Sequence, residues 1–265
     1  VAERFPVPLP RTAVVVVLTL AHAAWAYRPF VSTDAAVAAS GDIEVELGYA
    51  GFQREGGRTS IVAPTLVGNL GIVRDVELVA QSTLVSDLSF KSHDEHTRFE
   101  DTEVSLKWVA HEGALQGKGP YPSLAVELSM LLPTLRGQDR PGGELVGIAS
   151  ATTWGWTYHL NAGTVVDPGG NSASPVWGVI LEHTLRGRLR GVAEVNGENV
   201  RGTAADASAL VGAIWDVTPP WPLEDLSFDV GVRRGISVAA PDWAGTAGLT
   251  FTLSWQRSND EGRTP

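Results

Sequence analysis

Hydrophobic and polar positions alternate along most of this chain with a period of two, in segments of about ten residues separated by turn-forming clusters. The clearest segment is 243–255, where Trp243, Ala247, Leu249, Phe251, Leu253 and Trp255 share one face and Ala244, Thr246, Gly248, Thr250, Thr252 and Ser254 share the other. A first strand over 42–53 sets Ile43, Val45, Leu47 and Tyr49 against Glu44, Glu46 and Gly48. In a fourth, Val104, Leu106 and Trp108 alternate with Glu103, Ser105 and Lys107. In a fifth, over 123–132, Leu124, Val126, Leu128 and Met130 oppose Ala125, Glu127 and Ser129. The pattern predicts further strands near 59–70, 76–88, 144–153, 157–166, 176–185, 189–199, 208–217 and 226–237. That makes about twelve, an even count that puts both chain ends on one side, as single-chain bacterial barrels require.

A soluble sheet with one greasy and one small polar face hides the greasy face in a core, whereas a transmembrane barrel turns it to lipid and the polar face to its lumen. After the N-terminal region no run reaches the roughly twenty apolar residues of a spanning helix, so a membrane chain of this kind crosses as strands. The predicted fold is all-β: a closed antiparallel transmembrane β-barrel of about twelve strands over 42–255, followed by a polar tail, 256–265. The ending Thr246-x-Gly248-x-x-Phe251-x-Leu253 resembles the C-terminal assembly signal of bacterial outer-membrane barrels. That resemblance implies two partners, outer-membrane lipid and the barrel-assembly machinery. The competing reading is the terminal strand of a soluble β protein.

At the front, Arg4 and Arg11 precede an apolar run, 12–26, that ends in Ala24-Trp25-Ala26. Basic flank, short apolar run and small-x-small ending describe an export signal over 1–26 with cleavage before Tyr27. A polar and alanine-rich lead, 27–41, follows, expected in the periplasm or at the barrel mouth. The chain has no cysteine, so it has no disulfide framework, thiol nucleophile or cysteine metal site. Its 29 glycines and 9 tryptophans suit a barrel with aromatic girdles. A net charge of −10 excludes a nucleic-acid partner, because no basic stripe exists to neutralise phosphates. Short turns at 71–75, 154–156 and 186–188 alternate with polar loops at 91–98, 136–143, 167–174 and 201–206. The connections 111–122 and 218–225 are longer than that scheme predicts.

The small polar face supplies the lumen candidates: Glu44, Glu46, Glu77, Gln81, Glu103, Lys107, Glu127, His159, Asn161, Glu182, Glu194, Asn196, Glu198, Asp229 and Arg233. Two outcomes are open. Either the lumen is wet, acidic and favourable to cations, or Lys107, Arg233 and His159 pair with carboxylates in a packed network that plugs the bore. Arg233 is expected inward on the Ser227, Asp229 and Gly231 face, against Asp229, Glu194 or Glu198, with Arg234 outward near the outer interface. An alternative is a lipid hydrolase, in which His159, oriented by Asn161, would activate Ser150 or Ser129. His93, Asp94, Glu95 and His96 could surround one ion but equally form a solvated outer loop. No metal site, cofactor or catalytic residue is assigned.

Several pieces of the chain resemble the outer-membrane transporters named for the meta-pathway of phenol degradation. They are Arg28-Pro-Phe-Val-Ser-Thr-Asp-Ala35, Gly41-Asp-Ile-Glu-Val-Glu46, Asn69-Leu-Gly-Ile-Val-Arg-Asp-Val-Glu-Leu78, Val104-Ser-Leu-Lys-Trp108, Leu132-Pro-Thr134 and His159-Leu-Asn-Ala-Gly163. Their order along one chain carries the resemblance. It implies an outer-membrane barrel associated, in some members, with uptake of aromatic or other hydrophobic compounds. The expected function is a channel or transporter-like barrel, with a hydrolase and a non-conducting structural barrel as alternatives.

Overall fold

The computed structural model describes residues 28–88, 97–133, 140–168, 172–199 and 205–254. The export signal, the 93–96 acid–histidine run, Trp255 and the polar tail fall outside these residues. Twelve strands form: β1 (Asp42–Glu55), β2 (Arg58–Val73), β3 (Val76–Asp87), β4 (Thr97–His111), β5 (Ser123–Leu131) and β6 (Gly142–Thr153), then β7 (Trp156–Val166), β8 (Ser174–Arg186), β9 (Leu189–Glu198), β10 (Asp206–Val217), β11 (Leu223–Gly235) and β12 (Trp243–Ser254). Each pairs antiparallel with its sequence neighbours, and β1 pairs with β12, so the sheet closes on itself and has no free edge.

The alternation explains the inside and the outside together. Val45 faces Phe251 and Ile43 faces Leu253 across the seam, while Glu44 faces Thr252 and Glu46 faces Thr250. The apolar set points outward: Leu106, Leu128, Leu160, Val211 and Val230 are all exposed, Val211 by 66%. The buried set is mainly polar or charged and includes Glu46, Ser105, Lys107, His159, Glu194 and Asp229. A protein with its apolar residues outside and its acids inside satisfies water-free surroundings only in lipid, where closed strand pairing leaves no backbone group unpaired at the surface. No helix among the described residues is long and apolar enough to cross a membrane.

Register shifts interrupt the simple period in several strand pairs. A register shift between Gly48 and Ala50 of β1 resets its phase, so that Tyr49 and Phe52 both lie exposed despite their odd spacing. The end of the barrel that carries both termini also carries the tight β2–β3, β6–β7 and β8–β9 turns. β11 starts at Leu223, which shortens the predicted 218–225 connection to 218–222. Only the 112–122 connection stays long on that side, and it folds inward: the Ser123 hydroxyl accepts from the backbone N–H of Gly113 and of Leu115. In an outer-membrane barrel the end with the termini and short turns is periplasmic.

Candidate functional site

The lead does not stop at the barrel mouth. From β1 it runs up into the lumen and follows the inner wall, so that Arg28, Asp34, Ala35 and Ala38 are all buried. Chain inside a barrel must still satisfy its backbone donors, and the wall does this with side chains. The N–H groups of Val31 and Ser32 donate to Glu194, the latter at 2.7 Å. Thr33 and Asn161 bond in both directions, N–H to Oδ1 at 3.1 Å and Nδ2 to the Thr33 carbonyl at 2.7 Å. Ala35 N–H donates to Ser150 Oγ at 2.9 Å and Ala38 N–H to Glu77 at 2.7 Å. From the 112–122 connection, Gln116 donates to the Ala35 carbonyl at 2.6 Å.

Ion pairs fasten the same segment. Lys107 Nζ stands 3.5 Å from both Asp34 and Glu77 and donates to Thr33 Oγ1 at 3.1 Å. Arg28 reaches Asp229 at 3.5 Å and donates to Thr246. Two apolar seats complete the fit. Ala35 and Val37 pack with Val109, Ala125 and Ile148, and Phe30 packs on Val192, Leu210 and Ile214. Val79, Val165 and Ile180 are further buried apolar side chains on the lumen face. Glycines make the remaining room: a Cβ at Gly178 would strike Ser32, one at Gly231 would press on Pro29, and one at Gly48 or Gly248 would strike the Arg28 guanidinium.

Every sequence-predicted lumen residue turns inward, but at different levels and in different company. Glu44 and Glu46 are joined by the Asn69 amide, at 3.2 and 3.0 Å. Arg233 contacts Glu194 at 2.5 Å and also Asn196, while Arg234 faces outward with its guanidinium 4.4 Å over the Trp243 ring. Gln81, Glu103, Glu127 and Glu198 line a cavity of about 1200 Å³ that borders the lead and rises to the far end. Glu100, Asp101, Glu144, Asp167 and Asp206 line it too. Of the arginines there, Arg28 is paired with Asp229, Arg98 with Glu100 and Arg233 with Glu194. A packed network holds the lead, and a cavity lined with acids lies beyond it.

The hydrolase geometry requires a correction. Asn161 serves the lead and does not orient His159, and Ser129 bonds Ser105. His159 instead bridges Ser150, at 2.8 Å from Nδ1, and Glu182, at 3.2 Å from Nε2. Arg190 continues the chain to Glu182 and to Asp216, at 3.1 Å from the latter. This belt crosses β6 to β10. Its serine is fully buried, faces the lumen, and already accepts the Ala35 N–H. Residue types could not disclose the belt; adjacent strands place Ser150 directly opposite His159, with Glu182 two places beyond its opposite number, Ile180. Among the described residues no cluster of three or more potential ligands could hold a metal ion.

The terminal motif divides by face. Phe251 and Leu253 point outward, whereas Thr246 and Gly248 point inward, where Thr246 accepts from Arg28 and Gly248 yields space to it. The chain has the fold of an outer-membrane β-barrel. No family model and no curated protein matches it. Among solved structures it is similar to an outer membrane channel from Pseudomonas putida F1, with a TM-score of 0.58 at 10% identity over 83% of this chain and 97% of that one. The likeness is one of fold. A monoaromatic hydrocarbon channel, CymD, aligns over 82% of this chain and 89% of its own, at 9% identity and a TM-score of 0.41, a value too low to add to it.

Proposed function

We propose that this chain is an outer-membrane channel, closed at rest by its own lead, that passes small hydrophobic or aromatic solutes when the lead moves aside. The observation that carries the solute class is the seat of Phe30. Inside the lumen, the Phe30 ring rests on Val192, Leu210 and Ile214, and withdrawing the lead offers that seat to a ring of similar size. The acids of the cavity set a second condition, since a field of one sign repels solutes of the same sign. Neutral aromatics enter against no such barrier, and aromatic carboxylates do. The resemblance to the meta-pathway family and the fold of an outer membrane channel support the same reading.

In this reading the export signal carries the chain to the periplasm, and Phe251 and Leu253 present the last strand to the assembly machinery. Lipid covers the apolar exterior. The test is uptake into proteoliposomes of phenol against benzoate at neutral pH. Faster entry of phenol is expected, and equal or faster entry of benzoate overturns the solute assignment. Ester release from phospholipid would support a hydrolase, and neither flux nor release would support a structural barrel.

A further inference from the structure

On the outer wall, Trp243 of β12 has an arginine on each side: Arg54 is its register partner in β1 and Arg234 its partner in β11. The Arg234 guanidinium is held 4.4 Å over the Trp243 ring, and both arginines are exposed. Among the described residues neither has an ion-pair or hydrogen-bond partner, whereas Arg28, Arg190 and Arg233 in the lumen each have a carboxylate. Two residues toward the membrane centre the wall turns apolar, with Phe52 lying over the backbone at Gly245 and Val232 below Arg234. The arrangement is two uncompensated cations above an aromatic and aliphatic slope, at the end of the barrel opposite the termini.

We propose that this β11–β12–β1 face holds a phosphorylated glycolipid of lipid A chemistry, with its phosphates on Arg54 and Arg234 and its acyl chains on Phe52 and Val232. The proposal rests on the outer-membrane reading, which places this end in the leaflet built of such lipids. An outward charge at an interface costs little, but two guanidinium groups one strand either side of a common ring recruit an anion. Arginine forms bidentate charge-assisted bonds with phosphate, and stacking on Trp243 fixes the fork of Arg234 beforehand.

The experiment embeds the full-length barrel in nanodiscs of phosphatidylcholine doped with bisphosphorylated lipid A or with the same lipid after enzymatic dephosphorylation. Retained lipid is counted by native mass spectrometry. The wild type should retain the bisphosphorylated lipid about tenfold better, as expected for charge-assisted contacts. R54Q/R234Q should lose that preference, whereas R186Q, at the opposite end, should keep it. Equal retention of the two lipids by the wild type overturns the proposal, as does full preference in the double variant. The wild-type comparison decides even if the double variant fails to fold. Failure of the outer-membrane reading looks different: the wild type would then be recovered as a soluble periplasmic protein.

Discussion

The guanidinium of Arg28 lies 3.5 Å from the carboxylate of Asp229, so that a residue ahead of the first strand closes an ion pair with the eleventh. Both groups are buried, and the guanidinium occupies the space that Gly48 and Gly248 leave free. The pair ties the far end of the lead to the seam where the barrel closes.

Replacing Asp229 by Asn should therefore loosen the lead while leaving the barrel folded. Breaking a well-bonded buried pair costs about 3 to 5 kcal/mol, and this pair, with no hydrogen bond to either Asp229 oxygen, should fall below that range. The expected readout is a higher open probability in planar bilayers with unchanged heat-modifiable mobility on a denaturing gel. An unaltered open probability would show that Arg28 does not anchor the lead.

Phe30→Ala should act in the same direction through the apolar seat. Full burial of a phenylalanine sets a ceiling of about 3 to 5 kcal/mol on the loss, and Phe30 is only partly buried, so the loss should fall below that ceiling. Phenol should also bind the variant more tightly, because its seat is vacant. Equal phenol-induced tryptophan or current changes in both forms would separate the seat from the solute.

Gly178→Ala probes close approach without touching charge. The added Cβ would fall 2.8 Å from Ser32 Cβ, so the lead must shift. The variant should leak ions. Gly147→Ala is the control, since its Cβ would meet nothing nearer than 3.7 Å; matching conductances for the two variants would contradict the traced path of the lead.

Phe251→Ser and Leu106→Ser distinguish an assembly signal from lipid contact. Both side chains face outward, on β12 and β4, and Leu106 is the more exposed. A packing loss alone is bounded by about 3 to 5 kcal/mol. Phe251→Ser should accumulate as unassembled periplasmic protein while Leu106→Ser still inserts, as measured by the fraction in folded outer-membrane form. Equal yields would remove the special role of the last strand.

The barrel was legible in the sequence because each face of a strand meets one environment, so Glu44, Glu46, Leu106 and Leu128 each report their side directly. The phase reset after Gly48 was not, since a bulge leaves no periodic trace. Nor was the path of the lead. Residues 28–41 carry no period, and their partners lie far along the chain, as with Ala35 and Ser150. The polar lumen residues announced that they faced inward but not that several of them complete the backbone of their own chain. The same limit misassigned one partner of His159: Ser150, a candidate from a neighbouring strand, does contact it, but Asn161, two residues along the same strand, does not, and the other partner is Glu182 on the opposite flanking strand.

The most direct test of the account is single-channel conductance of the wild type beside a variant lacking residues 28–40, with residues 1–27 retained. The 42–254 barrel holds all twelve strands, so both forms should show heat-modifiable folding. The account predicts small, infrequent openings for the wild type and a large, persistently open, cation-selective conductance for the deletion. A deletion variant that folds and conducts no better than the wild type would contradict it.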